Sequence, residues 1–86
     1  MEKTLKVVLN ADRSIDLFLN DNHKHNIEAS KRSITAKEIY DIVEFSPGDQ
    51  YQVVSENHGS TDQQVLDFFV KLFDDIFKQV NANETS

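Results

Sequence analysis

The chain contains no cysteine, which excludes disulfide staples and thiolate metal sites. It has no tryptophan, one proline (Pro47) and two glycines (Gly48 and Gly59). So few glycines cannot build a phosphate-cradling loop, and no nucleophile-elbow or related catalytic signature is present. No apolar run approaches the roughly 20 residues of a membrane-spanning helix. Met1-Glu2-Lys3-Thr4 lacks the apolar stretch of a signal peptide. Eighty-six residues, 38% of them hydrophobic, suffice for one modest core. The expectation is one domain over 1–80, a frayed polar tail over 81–86, and a soluble cytoplasmic protein.

Charge of one sign is scarce in the second part of the chain. Through Lys37 the sequence is net +2; after it only Lys71 and Lys78 stand against ten acids, for −8. Phosphate neutralisation supplies most non-specific nucleic-acid affinity, so direct binding to nucleic acid is not expected.

Hydrophobic spacing gives the elements. Thr4–Leu9 alternates Leu5, Val7 and Leu9 against Thr4, Lys6 and Val8, the pattern of a strand. Ser14–Leu19 alternates again, and Asn10-Ala11-Asp12-Arg13 joins the two as a hairpin. After the Asn20-Asp21-Asn22 turn, a weaker strand is expected over His25–Ala29, with Ile27 and Ala29 inward. Thr35-Ala36-Lys37-Glu38 is a capping box opening a helix to about Phe45, with Ala36, Ile39, Tyr40 and Val43 on one face. Pro47-Gly48 ends it, and Tyr51–Ser55 reads as a fourth strand. Ser60 or Thr61 then caps a long helix running to about Val80. The order ββ(β)αβα predicts an α+β fold in two layers: a three- to four-stranded, mainly antiparallel sheet with two helices on one face.

The long helix carries two apolar stripes. Val65, Phe69, Leu72, Ile76 and Val80 form one; Leu66, Val70, Phe73 and Phe77 form the other, and together they span an arc of about 200°, wider than one sheet contact requires. Either the second stripe packs on Ile39, Tyr40, Ile42 and Val43, or it stays exposed as a seam for a partner or a second copy.

Candidate chemistry is thin. His23 and His25 would share one strand face near Asp21, a conceivable metal site without a third ligand. Gly59-Ser60-Thr61, beside His58, would expose amides at a helix start, where anions bind. A phosphate on Ser33 or Thr35 would be favoured at the first helix's N-terminus. Asp74 and Asp75 are consecutive on a helix and do not face each other.

The stretch Ser14–Ile76 loosely resembles the later part of the sugar-transport phosphocarrier HPr. Both run strand, turn, strand, a short helix opening near a basic residue and Ser-Ile (Arg32-Ser33-Ile34 here), strand, long helix. That family's phosphorylatable histidine lies on a helix after the first strand. Here Leu9 runs directly into Asn10-Ala11-Asp12-Arg13, so the resemblance implies no phosphoryl transfer.

These features predict a non-catalytic module without cofactor or metal. It would bind a protein partner, or itself as a homodimer, through Leu66, Val70, Phe73 and Phe77. The alternative is an acidic inhibitor or nucleic-acid mimic that blocks a basic cleft through Asp41, Glu44, Asp49, Asp67, Asp74 and Asp75.

Overall fold

β1 (Glu2–Leu9) and β2 (Ile15–Leu19) each send alternate side chains to one face. Leu5, Val7, Leu9, Ile15, Leu17 and Leu19 are all buried there, which is why these segments extend instead of coiling. The computed structural model describes residues 2–31 and 33–84, with side chains through Val80. The elements continue with β3 (Asn22–Ile27), α1 (Ala36–Val43), β4 (Gln50–Asn57) and α2 (Gln63–Glu84). The sheet order is β3-β2-β1-β4; β1 pairs antiparallel with β2 and parallel with β4. The fold is therefore the expected α+β arrangement, with one parallel pair in a mostly antiparallel sheet.

Turn chemistry sets the register. Asn20 and Asp21 both have positive φ (49° and 71°), and Leu19 pairs with Asn22 across them. That is a two-residue hairpin turn of the type whose central residues must be left-handed, a conformation Asn and Asp tolerate. It starts β3 at Asn22, not His25, and Ala29 lies beyond the strand. In the β1–β2 turn, Arg13 takes the left-handed position (φ 74°), and its N–H donates to Asn10 O at 2.9 Å.

A bulge in β3 overturns one expectation. Leu17 pairs with His25, whereas Phe18 pairs with His23, so Lys24 is an extra residue. A bulge reverses the alternation of the strand that carries it. His25 thus faces the helices, 3.5 Å from Glu38, while His23 faces the uncovered side, 3.0 Å from Asp16. The two imidazoles do not share a face.

The helices cover one side of the sheet. The Thr35 box forms as expected: the Glu38 N–H donates to Thr35 Oγ1 (3.2 Å), and the Thr35 N–H to Glu38 Oε1 (3.3 Å). α1 stops at Val43, two residues before Phe45, because Glu44 turns left-handed (φ 50°) as its C-cap. α2 begins at Gln63, later than either Ser60 or Thr61 would set it, and extends past Val80 to Glu84. The helix includes residues 81–84 of the tail; residues 85–86 lie outside the described residues.

Leu66, Phe69, Phe73 and Phe77 are the buried residues of α2 among the described side chains, and they point at the sheet. Three of the four expected seam residues are therefore core. α2 lies on β4 and β1, so the second stripe turns toward the sheet and joins the core cluster that also holds Ile39, Ile42 and Val43 of α1. Val70 on one shoulder, and Val65, Leu72, Ile76 and Val80 on the other, are half-buried.

Candidate protein-docking surface

With the expected seam inside the core, apolar surface remains in other places. Tyr40 (50% exposed), Phe45 (43%), Val54 (43%) and Phe68 (60%) are the large exposed hydrophobics among the described residues. Val54 stands on the uncovered sheet face, and Phe68 stands edge-on to Phe69 on α2. Tyr40 and Phe45 stand together, with ring centroids 5.4 Å apart at 66°.

That pair is held from below. Phe45 lies parallel to the buried Tyr51 ring at 6.3 Å, and Tyr51 stacks on Phe77 at 5.3 Å. The exposed rings thus cap a column of aromatics running into the core. The turn carrying Phe45 is fixed by hydrogen bonds. The Phe45 N–H donates to Tyr40 O (3.2 Å), and the Ser46 N–H donates to the Tyr51 hydroxyl (3.0 Å). Lys3 adds a clamp from β1. Its Nζ donates to Glu44 O at 2.7 Å, pairs with Asp49 at 2.9 Å and lies 5.8 Å from the Tyr51 ring centroid. The hydrogen bond to Asp49 pushes the Lys3 ammonium above its usual pKa, and the same bond holds the Asp49 carboxyl below the ordinary range.

Tyr40 also borders a groove between the helices. Ala36, Ile39 and Tyr40 of α1 and Ile76, Gln79 and Val80 of α2 line a cavity of about 190 Å³. It can admit one aliphatic or aromatic side chain and is too small to enclose a drug-sized ligand. The spacing puts Tyr40 on the core face of the first helix and marks Phe45 only as that helix's approximate end. Tyr40 had been placed on the core face, but that face centres on Ile39, Ile42 and Val43, which leaves Ala36 and Tyr40 on its exposed shoulder. An aromatic residue one step past a helix end, ahead of a Pro-Gly turn, was the available signal for Phe45.

The remaining candidates are placed as follows. The six carboxylates do not form one face. Glu44 pairs with Lys24 (2.9 Å), whose hydrogen bond holds its carboxyl low, and Asp49 pairs with Lys3. Asp74 pairs with Lys78 (3.0 Å), and Gln63 Nε2 donates to Asp67 at 2.9 Å. Asp41 and Asp75 are exposed on different helices. At the start of α2 the Gly59 and Ser60 amides are already taken, since both donate to Asn57 Oδ1 (3.1 and 2.9 Å), so no open anion nest exists there. His58 is engaged with Glu56 at 2.9 Å. The Thr35 hydroxyl is used in its cap, Ser33 is exposed, and Arg32 lies outside the described residues. Among the described residues no three His, Asp or Glu side chains gather closely enough to hold a metal ion, and no helix is long and apolar enough to cross a membrane.

The uncovered sheet face has one polar hub. Asp16 accepts from Asn26 Nδ2 (2.7 Å) and Asn10 Nδ2 (2.8 Å), and His23 Nε2 lies 3.0 Å away. Partial burial would raise its carboxyl, but the hydrogen bonds from Asn26, Asn10 and His23 outweigh that and hold it below the ordinary range. Beside it Phe18 is covered by His23 (5.2 Å, edge-on) and by the Lys6 ammonium (5.4 Å from the ring centroid).

No family model, curated protein or solved structure matches this chain, so the partial likeness to HPr remains one of element order.

Proposed function

We propose that the protein is a non-catalytic interaction module that docks an apolar segment of a partner protein on the α1–α2 groove, with Tyr40 and Phe45 as anchors. The observation that carries this reading is the pair of half-exposed rings held rigid by the Tyr51–Phe77 column and the Lys3 clamp. Aromatic residues dominate interface energetics, and rings already fixed in place lose little entropy on binding. The groove beside them offers an aliphatic slot. The two helices lie in the part of the chain that carries the acidic excess, so a partner segment with basic residues flanking its apolar side chains fits best.

The test is a paired capture from the native host. Proteins retained by the wild-type chain are compared by mass spectrometry with those retained by Tyr40→Ser/Phe45→Ser and by Phe68→Ser. The reading requires that the double variant loses a specific protein that Phe68→Ser keeps, while both give wild-type circular dichroism. An unchanged set would refute it. Capture that survives the ring changes but falls steeply with salt would point instead to the carboxylates.

A further inference from the structure

We infer that the β4 edge is a self-association surface, on which a second copy of this chain pairs its own β4 antiparallel to make one eight-stranded sheet. The two sheet edges differ. β3 carries the devices that keep an edge from pairing: a bulge, Lys24 as its extra residue, and exposed polar side chains at Asn22, His23 and Asn26. β4 has neither the bulge nor the lysine, although Gln50, Gln52, Ser55, Glu56 and Asn57 on it are exposed polar residues too. It runs eight residues in unbroken register with β1, without proline or lysine, and Glu56 is its only charge.

The backbone of β4 is aimed for such pairing. The His58 N–H donates to Leu9 O at 2.8 Å, continuing the β1–β4 ladder. Ladder bonds alternate along a strand, so Glu56 and Val54 also turn their amides to β1, and Val53 and Ser55 turn theirs to the open edge. Backbone groups on an edge template another strand. A two-fold axis at Val53 sets Val53 against Val53, Gln52 against Val54 and Gln50 against Glu56. No like charges meet, and the exposed Val54 gains neighbours from the second copy.

Charge on α2 selects the same axis. Phe77 stacks on Tyr51, so these two residues share a level along the sheet. Two strand residues from Tyr51 to Val53 are about 6.6 Å, which is about four helix residues back from Phe77. The axis therefore crosses α2 near Leu72–Phe73. The second copy's helix, antiparallel at that level, brings its Lys78 opposite Asp67 and its Lys71 opposite Asp74. All four lie on the flank of α2 turned away from the α1 groove. A sequence that alternates sign about its own midpoint is complementary to an antiparallel copy of itself and opposes like charges in a parallel in-register one. A β4-to-β3 chain of copies would lose this match and would meet the bulge.

The experiment is sedimentation equilibrium across a concentration series. The wild-type chain should approach twice its 9.9 kDa mass. Ser55→Pro removes an edge amide that β1 does not use and should weaken the dimer at least about tenfold. Lys71→Asp/Lys78→Asp changes exposed side chains, breaking also the exposed Lys78–Asp74 pair within α2, and should weaken it by a similar factor. Adding Asp67→Lys and Asp74→Lys to that variant should restore it. A chain that stays at 9.9 kDa through millimolar concentration overturns the proposal, as does a dimer indifferent to the lysine reversals. Should Ser55→Pro fail to fold, the reversal and restoration pair decides alone.

Discussion

Phe73→Ala separates a core position from an interface position more sharply than any other change. Phe73 has no exposed surface, stacks on Phe77 at 6.3 Å, and belongs to the cluster between α2 and the sheet. Truncating such a ring costs about 3–5 kcal/mol, the lost transfer energy plus a cavity that the neighbours only partly fill. A chain of this length has about 4–13 kcal/mol in total, so the variant keeps between none and about three-quarters of its stability. With a urea slope near 1–2 kcal/mol/M, the midpoint should fall by about 1.5–5 M with the slope unchanged. Circular dichroism at the helical band is the probe, because the chain has no tryptophan. Phe68→Ala, at 60% exposure, should cost less than about 0.5 kcal/mol. If Phe73→Ala moved the midpoint by less than about 0.5 M while Phe68→Ala moved it more, α2 would present the opposite face to the sheet and the packing argument would fail.

Three further outcomes follow from local geometry. Asp16 has a folded pKa below its unfolded one, so its stabilisation is complete above the ordinary aspartate range and is lost as pH falls through the depressed value. Asp16→Asn should therefore flatten the fall in stability below about pH 4, read by urea titrations at several pH values. Thr35→Ala removes the acceptor for the Glu38 N–H and should cost about 1 kcal/mol in the same assay. Asp21→Gly relieves a left-handed residue at φ 71° and should stabilise by about 0.5–1 kcal/mol, raising Tm by a few degrees.

What the sequence shows depends on how local the cause is. The Thr35–Glu38 box and the Asn20-Asp21 turn act within four residues, and both form as their residue types require. The first two strands alternate apart from Val8 and Phe18, and they pair as their spacing implies. β3 was placed three residues late because Asn22–Asn26 carries no apolar side chain; the turn before it decides where it starts. The Lys24 bulge has no residue signature at all, yet it moves His23 to the opposite face from His25. The facing of α2 was ambiguous because two apolar stripes of similar size competed. Only the position of β4 beside β1 determines which residues between them turn inward, and that parallel pairing is set by topology. The exposure of Tyr40 and Phe45 is hidden for a related reason: exposure is a property of the assembled layers, and the periodicity of a short helix gives only its approximate face.

The parallel contact between β1 and β4 also has a kinetic meaning. Thr4 and Gln52, joined by a 2.8 Å hydrogen bond, are forty-eight residues apart. β1, β2 and β3 can form by two short turns, but β1 cannot gain its second neighbour until α1 has been crossed and the closure entropy of that long loop has been met. Loop-closure entropy therefore favours forming the meander first, with β1 as its open edge. Val7 and Leu9, wholly buried at the end, are then exposed beside an unpaired edge. This interval is when the chain is most open to misassociation, and its length is set by how fast β4 and α2 arrive together.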